Sequence, residues 1–97
     1  MRFIWDLSKA RQNLLKHGVS FEQAITTFDD PFGRALDDPK HSTPNEKREW
    51  RMGLSDVGIL VVVFTVRQPG PVYRLISARK ASRQERRLYE TYKRIQF

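Results

Sequence analysis

The run Ile59 to Val66 constrains the fold most, because all but one of its residues are apolar and most are β-branched. Such a run is typical of a strand that is covered on both faces. It is far shorter than the roughly 20 residues that a membrane-spanning helix requires. We therefore predict a central strand in a globular domain, with other elements packed on each side of it.

Short connections place further strands beside this central one. From Trp50 to Leu54 apolar residues alternate with polar or small ones, which is typical of a half-buried strand. Residues 56–58 and 68–71 have turn composition, and a third strand is predicted from Val72 to Ala78. These turns are too short for parallel crossovers, so the sheet should be antiparallel. Residues 32–36 are a candidate for a short fourth strand.

Capping signals mark two helices before the sheet and one after it. Asp6 can begin the first helix and Gly18 can end it. Ser20 and Ser82 each stand three residues before a Gln or Glu, the spacing of a capping box. The predicted fold is α+β: two N-terminal helices, an antiparallel sheet of three to four strands and a C-terminal helix. Residues 1–97 should form a single domain.

The C-terminal helix is predicted to be amphipathic. Its apolar stripe should dock on the sheet, and it consists of Ala81, Leu88, Tyr92 and Ile95. The opposite side is basic. A solvated helix face would account for Arg86, Arg87 and Arg94, since Glu85 and Glu90 partly match their charge.

The composition points to an anionic partner. The chain has 18 Lys and Arg against 11 Asp and Glu, a net charge of +7 over 97 residues. A field of this sign favours polyanionic or acidic partners. The chain has no cysteine, which excludes disulfides and thiolate metal sites. The first residues lack the apolar run of a secretory signal, so we expect a cytoplasmic protein without a membrane anchor.

Cations interrupt the third strand at positions where folding alone would favour apolar residues. Arg74 lies within the strand, and Arg79 and Lys80 close it. Arginines at such positions suit bidentate contact with phosphate. Strict alternation would put Arg74 and Arg79 on opposite faces. Either a bulge near Ser77 reorients the end of the strand, or only one of the two arginines reaches a shared site.

A polar loop from Asp37 to Lys47 is the second candidate for function. His41 in this loop could transfer protons near neutral pH, although from the residues alone an ordinary exposed histidine is the better interpretation. His17 at a helix end is assigned a structural role. The acidic pairs Asp29/Asp30 and Asp37/Asp38 fit turn chemistry better than magnesium binding, so no metal or other cofactor is expected.

Several segments of the chain resemble one known family. They read WDLSKARQNLLKHGVSFEQA, DP followed by HS, LVVVFTVR and ISARKASRQERRLYE. With these residues the chain resembles the BrnT family of type II toxins. The resemblance implies a RelE-like fold, RNA cleavage without a metal, and inhibition of translation. It also implies a cognate DNA-binding antitoxin as partner. The toxin would contact operator DNA only through this antitoxin.

The expected site residues follow from this reading together with the chemistry of RNA cleavage. The candidates for catalysis are His41, Glu46, Arg74, Arg79 and Lys80, and those for holding the RNA backbone are Arg51, Arg67, Arg83 and Arg87. In this scheme the histidine transfers a proton, with the glutamate as the second choice, and the cations stabilise the phosphorane. The alternative is a non-catalytic module that binds nucleic acid or the antitoxin through the same basic face.

Overall fold

A computed structural model describes residues 1–37, 39–44, 46–67 and 71–95 of the chain. The strands are β1 (Arg2–Ile4), β2 (Arg34–Asp37), β3 (Lys47–Ser55), β4 (Gly58–Arg67) and β5 (Val72–Lys80). The α-helices are α1 (Leu7–His17), α2 (Phe21–Ile25) and α3 (Arg83–Ile95). One 3-10 turn follows α2 at Thr26–Asp29, and a second follows β2 at Pro39–His41. Asp38 and most of the predicted 68–71 turn lie outside the described residues.

The sheet is mixed and has five strands in the order β1-β5-β4-β3-β2. The predicted α+β class and central strand are confirmed, and β2 to β5 pair antiparallel as predicted. The prediction of a wholly antiparallel sheet that begins after the two helices is wrong, because it omits β1. β1 precedes the helices and pairs in parallel with β5, from Arg2 opposite Val72 to Ile4 opposite Arg74. β1 was not predicted because three residues are too few to show apolar–polar alternation, and because its partner strand β5 lies far away in the sequence.

The predicted helix caps are confirmed. The Asp6 side chain accepts from the Lys9 backbone N–H, and Gly18 adopts the left-handed conformation at φ 69° where α1 ends. Ser20 and Gln23 form a complete capping box at the start of α2. Helices α1 and α2 pack against one face of the sheet, which we call the helix-covered face.

The main core lies under this helix-covered face. Its buried members include Val19, Phe21 and Ala24 from the α2 region and Leu60, Val62 and Phe64 from β4. At one end of the core, Phe28 makes edge-to-face contacts with Phe3, Phe64 and Tyr73, with ring centroids 4.8, 5.2 and 5.8 Å apart. The opposite face of the sheet carries Val61, Val63 and Thr65 of β4, and we call it the α3 face.

Asn13 of α1 closes the edge of β5 where β1 no longer covers it. Its side-chain amide donates to the carbonyl of Ala78 at 2.8 Å and accepts from the Ala78 N–H at 3.0 Å. A second N–H of the amide reaches the Val19 carbonyl at 2.9 Å. Asn13 is only 6% exposed. It therefore substitutes for a neighbouring strand and satisfies backbone groups that would otherwise be buried without partners.

A bulge in β5 decides which residues share a face. Ser77 lies opposite Val63 and Leu75 lies opposite Phe64, which leaves Ile76 without a partner on β4. Because of this extra residue, the side chains of Arg74 and Arg79 lie on the same face of the sheet. Of the two alternatives left open by the sequence, the bulge is confirmed.

Helix α3 docks differently from the prediction. Tyr89 is its buried residue, and the Tyr89 hydroxyl donates to the Asp30 carboxylate. Leu88 and Ile95 were predicted to dock, but they are 60% and 73% exposed. The hydrogen bond to Asp30 favours the side of the helix that carries Tyr89, so Leu88 and Ile95 are turned outward, whereas Ala81 is buried as predicted. None of the helices in the described ranges is long and apolar enough to cross a membrane.

Candidate active site

Strand register arranges the α3 face in rows, because residues directly opposite each other point to the same side of a sheet. From one end to the other, the rows are Arg48–Thr65–Arg74, Trp50–Val63–Ser77 and Met52–Val61–Arg79. Successive rows are two residues apart along each strand, or roughly 7 Å. The first and last rows, which we call the Arg74 row and the Arg79 row, are therefore about 13 Å apart.

The loop that carries His41 reaches the Arg74 row. The hydroxyl of Ser42 accepts from the Arg48 backbone N–H at 2.9 Å. Thr43 and Glu46 close the loop by donating their backbone N–H groups to each other's carbonyls, at 2.9 and 3.3 Å. His41 is exposed and directly precedes the serine that holds the loop to β3. The structure thus brings His41 to the end of the α3 face where Arg74 lies.

Glu46 and Arg67 lie one step beyond the Arg74 row. The Glu46 carboxylate is 3.7 Å from Nε of Arg67, and both side chains are partly exposed. A pair at this distance and exposure contributes little to stability. Three of the predicted residues, Glu46, Arg67 and Arg74, therefore collect with His41 at one end of the face.

Thr65 sits in the middle of the Arg74 row and was missed by the sequence interpretation. Its side chain is 5% exposed, and within the described ranges its hydroxyl has no hydrogen-bond partner. Buried hydroxyls are nearly always satisfied, so an exception between two arginines calls for an explanation. The signal was available in the sequence, because Thr65 is the one polar residue in the run Ile59 to Val66.

Arg79 is held by the first turn of α3. Its NH1 and NH2 donate to the two carboxylate oxygens of Glu85 at 2.7 and 2.9 Å. Glu85 also accepts from the Ser82 N–H at 2.8 Å, which completes the predicted capping box. Chiefly because of the hydrogen bonds from Arg79, the pKa of Glu85 is lowered to about 2. One of the candidate cations is therefore fixed in place by the helix cap.

Two predicted residues lie on the helix-covered face, away from the others. Arg51 is opposite Val62, and its guanidinium donates to the backbone carbonyls of Thr27 and Asp30, both at 3.1 Å. Burial lowers the pKa of Arg51. Lys80 is opposite Leu60 and exposed. The structure therefore does not bring Arg51 or Lys80 together with Arg74 and Arg79.

The remaining basic candidates, Arg83 and Arg87, lie on α3. They line a cleft of about 420 Å³ beside the helix, together with Ile59, Arg86, Glu90, Thr91 and Arg94. This cleft starts at the helix turn that contains Glu85. It therefore extends the positive surface beyond the Arg79 row.

Asp30 connects β3 to α3. From the sequence it was interpreted only as a turn residue. Its carboxylate accepts from the backbone N–H groups of Leu54 at 2.7 Å and Phe32 at 2.9 Å, and from the Tyr89 hydroxyl. Burial opposes the charged form, but these hydrogen bonds outweigh it and lower the pKa of Asp30. Burial and the carboxylate together raise the pKa of Tyr89. The cluster ties α3 to the turn of the β3–β4 hairpin.

These features define a class of small, basic α+β proteins in which one sheet face carries aligned arginines beside a histidine-bearing loop. Residues 5–85 match the family model of the ribonuclease toxin BrnT of type II toxin–antitoxin systems, and the chain belongs to that family. The resemblance noted from the sequence is thereby confirmed. No curated protein matches the chain. The family implies an RNA substrate and an antitoxin protein as partner, whereas most of α3 lies beyond the matched residues.

Proposed function

We propose that the protein is a metal-independent endoribonuclease that cleaves RNA at the Arg74 row and thereby inhibits translation. The observation that carries this proposal is the alignment of Arg48, Thr65 and Arg74 across the α3 face, beside the loop of His41. Guanidinium groups on this row match the charge and the acceptor oxygens of a phosphodiester. We further propose that a cognate DNA-binding antitoxin neutralises the protein and links it to operator DNA.

In the proposed reaction the 2′-hydroxyl of RNA attacks the adjacent phosphorus. His41 takes the 2′-hydroxyl proton, the new O2′–P bond forms, and the P–O5′ bond breaks as the leaving oxygen receives a proton. Glu46 is the second candidate for one of these transfers. Arg74 would stabilise the charge that builds on the phosphorane. The products are a 2′,3′-cyclic phosphate and a 5′-hydroxyl.

The remaining cations on this side would hold the RNA chain. An RNA strand that follows β5 from the Arg74 row would pass Arg79 about 13 Å away and then reach α3. Arg67, Arg79, Arg83 and Arg87 are accordingly assigned to the RNA backbone, with charge–charge attraction as the source of affinity. Arg51 and Lys80 are left out of this scheme, because they lie on the helix-covered face.

Cleavage of RNA in EDTA tests the proposal. The wild-type protein should cleave under these conditions and leave 2′,3′-cyclic phosphate ends. Arg74→Ala should lower the cleavage rate about 10²- to 10³-fold. Lys80→Ala is the matched control, since it removes a cation from the same strand on the opposite face, and it should cleave at the wild-type rate.

Two results would contradict the proposal. A requirement for added magnesium would exclude the metal-independent reaction. Folded protein that leaves every RNA intact, with or without magnesium, would favour the non-catalytic module that binds nucleic acid or the antitoxin. His41→Ala separates the two readings further, because it should lower cleavage about 10²- to 10⁴-fold while salt-dependent RNA binding persists.

A further inference from the structure

A small apolar cavity lies between α3 and the sheet. Its volume is about 200 Å³, and its walls are Trp50, Met52, Val61 and Leu88, with Arg34 and Glu85 as the charged lining residues. Leu88 is 60% exposed and Trp50 is 39% exposed, which is unusual on so strongly charged a surface. The cavity is about the size of one large apolar side chain.

The cavity continues into the exposed stripe of α3. Leu88, Tyr92 and Ile95 stand at positions i, i+4 and i+7, which places them along one side of the helix. Leu88 and Ile95 remain exposed, while Tyr92 is partly covered by the guanidinium of Arg34 at 4.9 Å. The helix therefore has the periodicity of a docking surface, but the chain itself buries a different side of it through Tyr89.

We propose that this cavity and stripe bind the antitoxin, through an apolar anchor residue carried by an acidic amphipathic segment. Family membership supplies the partner, and the surface supplies its chemistry. The apolar walls select an apolar side chain. The Arg34 guanidinium in the cavity lining and the protein net charge of +7 select acidic neighbours.

The same observations disfavour the two other occupants. A second copy of this chain would bring together two proteins that each carry a net charge of +7, which repel each other. RNA would require hydrogen-bond partners for its base edges, whereas Trp50, Met52, Val61 and Leu88 offer almost only apolar surface. A nonpolar protein side chain therefore fits this cavity better than an RNA base does.

The position of the surface also explains how binding could neutralise the protein, and this step rests on the proposed function. Glu85 lines the cavity and holds Arg79 through both carboxylate oxygens. A partner seated against Leu88 would therefore cover the Arg79 row and block the path of RNA along β5. The antitoxin would not need to contact the Arg74 row.

An environment-sensitive fluorophore on the surface tests the proposal. The chain has no cysteine, so Leu88→Cys gives a single labelling site, and Leu15→Cys on α1, where the leucine is 84% exposed, is the control. Addition of the cognate antitoxin should shift the emission of the Leu88→Cys label to shorter wavelength and leave the Leu15→Cys label unchanged. A shift with RNA instead, a shift with protein concentration alone, or no shift would each overturn the proposal.

Affinity provides the second measurement. Leu88→Glu should weaken binding of the antitoxin about 30-fold or more, and the loss should grow at low salt, where the introduced charge faces the acidic segment. Leu15→Glu should bind within about two-fold of wild type, as expected for a substitution away from the interface. Equal affinity of the two variants would overturn the proposal. RNA cleavage is measured on the same samples, so a protein that binds through Leu88 but cleaves nothing would refute only the nuclease function.

Discussion

Replacing Asn13 by alanine should destabilise the protein substantially. The substitution removes three buried hydrogen bonds, two with Ala78 and one with Val19. At roughly 1 kcal/mol net for each bond, the loss is about 3 kcal/mol, from which about 0.5 kcal/mol is regained because alanine is the better helix former. The expected decrease in the free energy of unfolding is therefore about 2.5 kcal/mol, a large share of a typical domain stability of roughly 5–15 kcal/mol.

Urea denaturation followed by circular dichroism measures this decrease. The midpoint should fall while the slope with urea concentration stays unchanged, because the native state buries nearly the same surface. Gln12→Ala is the control on the same helix, since Gln12 is exposed, and it should be neutral or slightly stabilising. If Asn13→Ala lay within about 0.5 kcal/mol of wild type, the Asn13 amide would not be the group that satisfies the edge of β5.

Three other perturbations test contacts around α3 and β3. Because the pKa of Glu85 is about 2 when folded and ordinarily 4.5, its charge stabilises the protein above pH 4.5, and this stability is lost as the pH falls toward 2. Glu85→Gln should remove that pH dependence, worth about 1 kcal/mol after discounting the exposure of the pair, as measured by urea denaturation at several pH values. Tyr89→Phe should cost about 2 kcal/mol through the lost hydrogen bond to the Asp30 carboxylate, and no change in the urea midpoint would refute that role. Gly33→Ala should lower the melting temperature, because a Cβ there would lie 2.1 Å from NH2 of Arg51, and an unchanged melting temperature would mean that Arg51 moves freely.

Local signals in the sequence predicted local structure well. The caps at Asp6, Ser20 and Ser82 depend on side chains within three or four residues of each other, and all three form as expected. The central strand β4 was evident because a long apolar run has few other outcomes in a short chain. The bulge in β5 was foreseen as one of two alternatives, since the positions of Arg74 and Arg79 conflicted with strict alternation.

Contacts between distant segments could not be predicted. Asn13 and Ala78 are 65 residues apart, and Tyr89 and Asp30 are 59 residues apart. In the sequence, Asn13 is one polar residue among others in a helix, and Asp30 fits a turn equally well without a distant partner. The same holds for Arg51. The alternation of residues in β3 predicts which residues share its face, but which face α1 and α2 cover is determined only by the complete fold.

The position of the candidate site depends on how the bulge in β5 is held. On one side of Ile76, pairing with β1 fixes residues 72–74, and on the other side Asn13 fixes Ala78. The Ala81 N–H donates to the Ile59 carbonyl at 3.0 Å and secures the end of the strand. Because both halves of β5 are fixed independently, the extra residue cannot slide toward either end. Arg74 and Arg79 therefore share the α3 face because of contacts made by residues that are themselves far from the proposed chemistry.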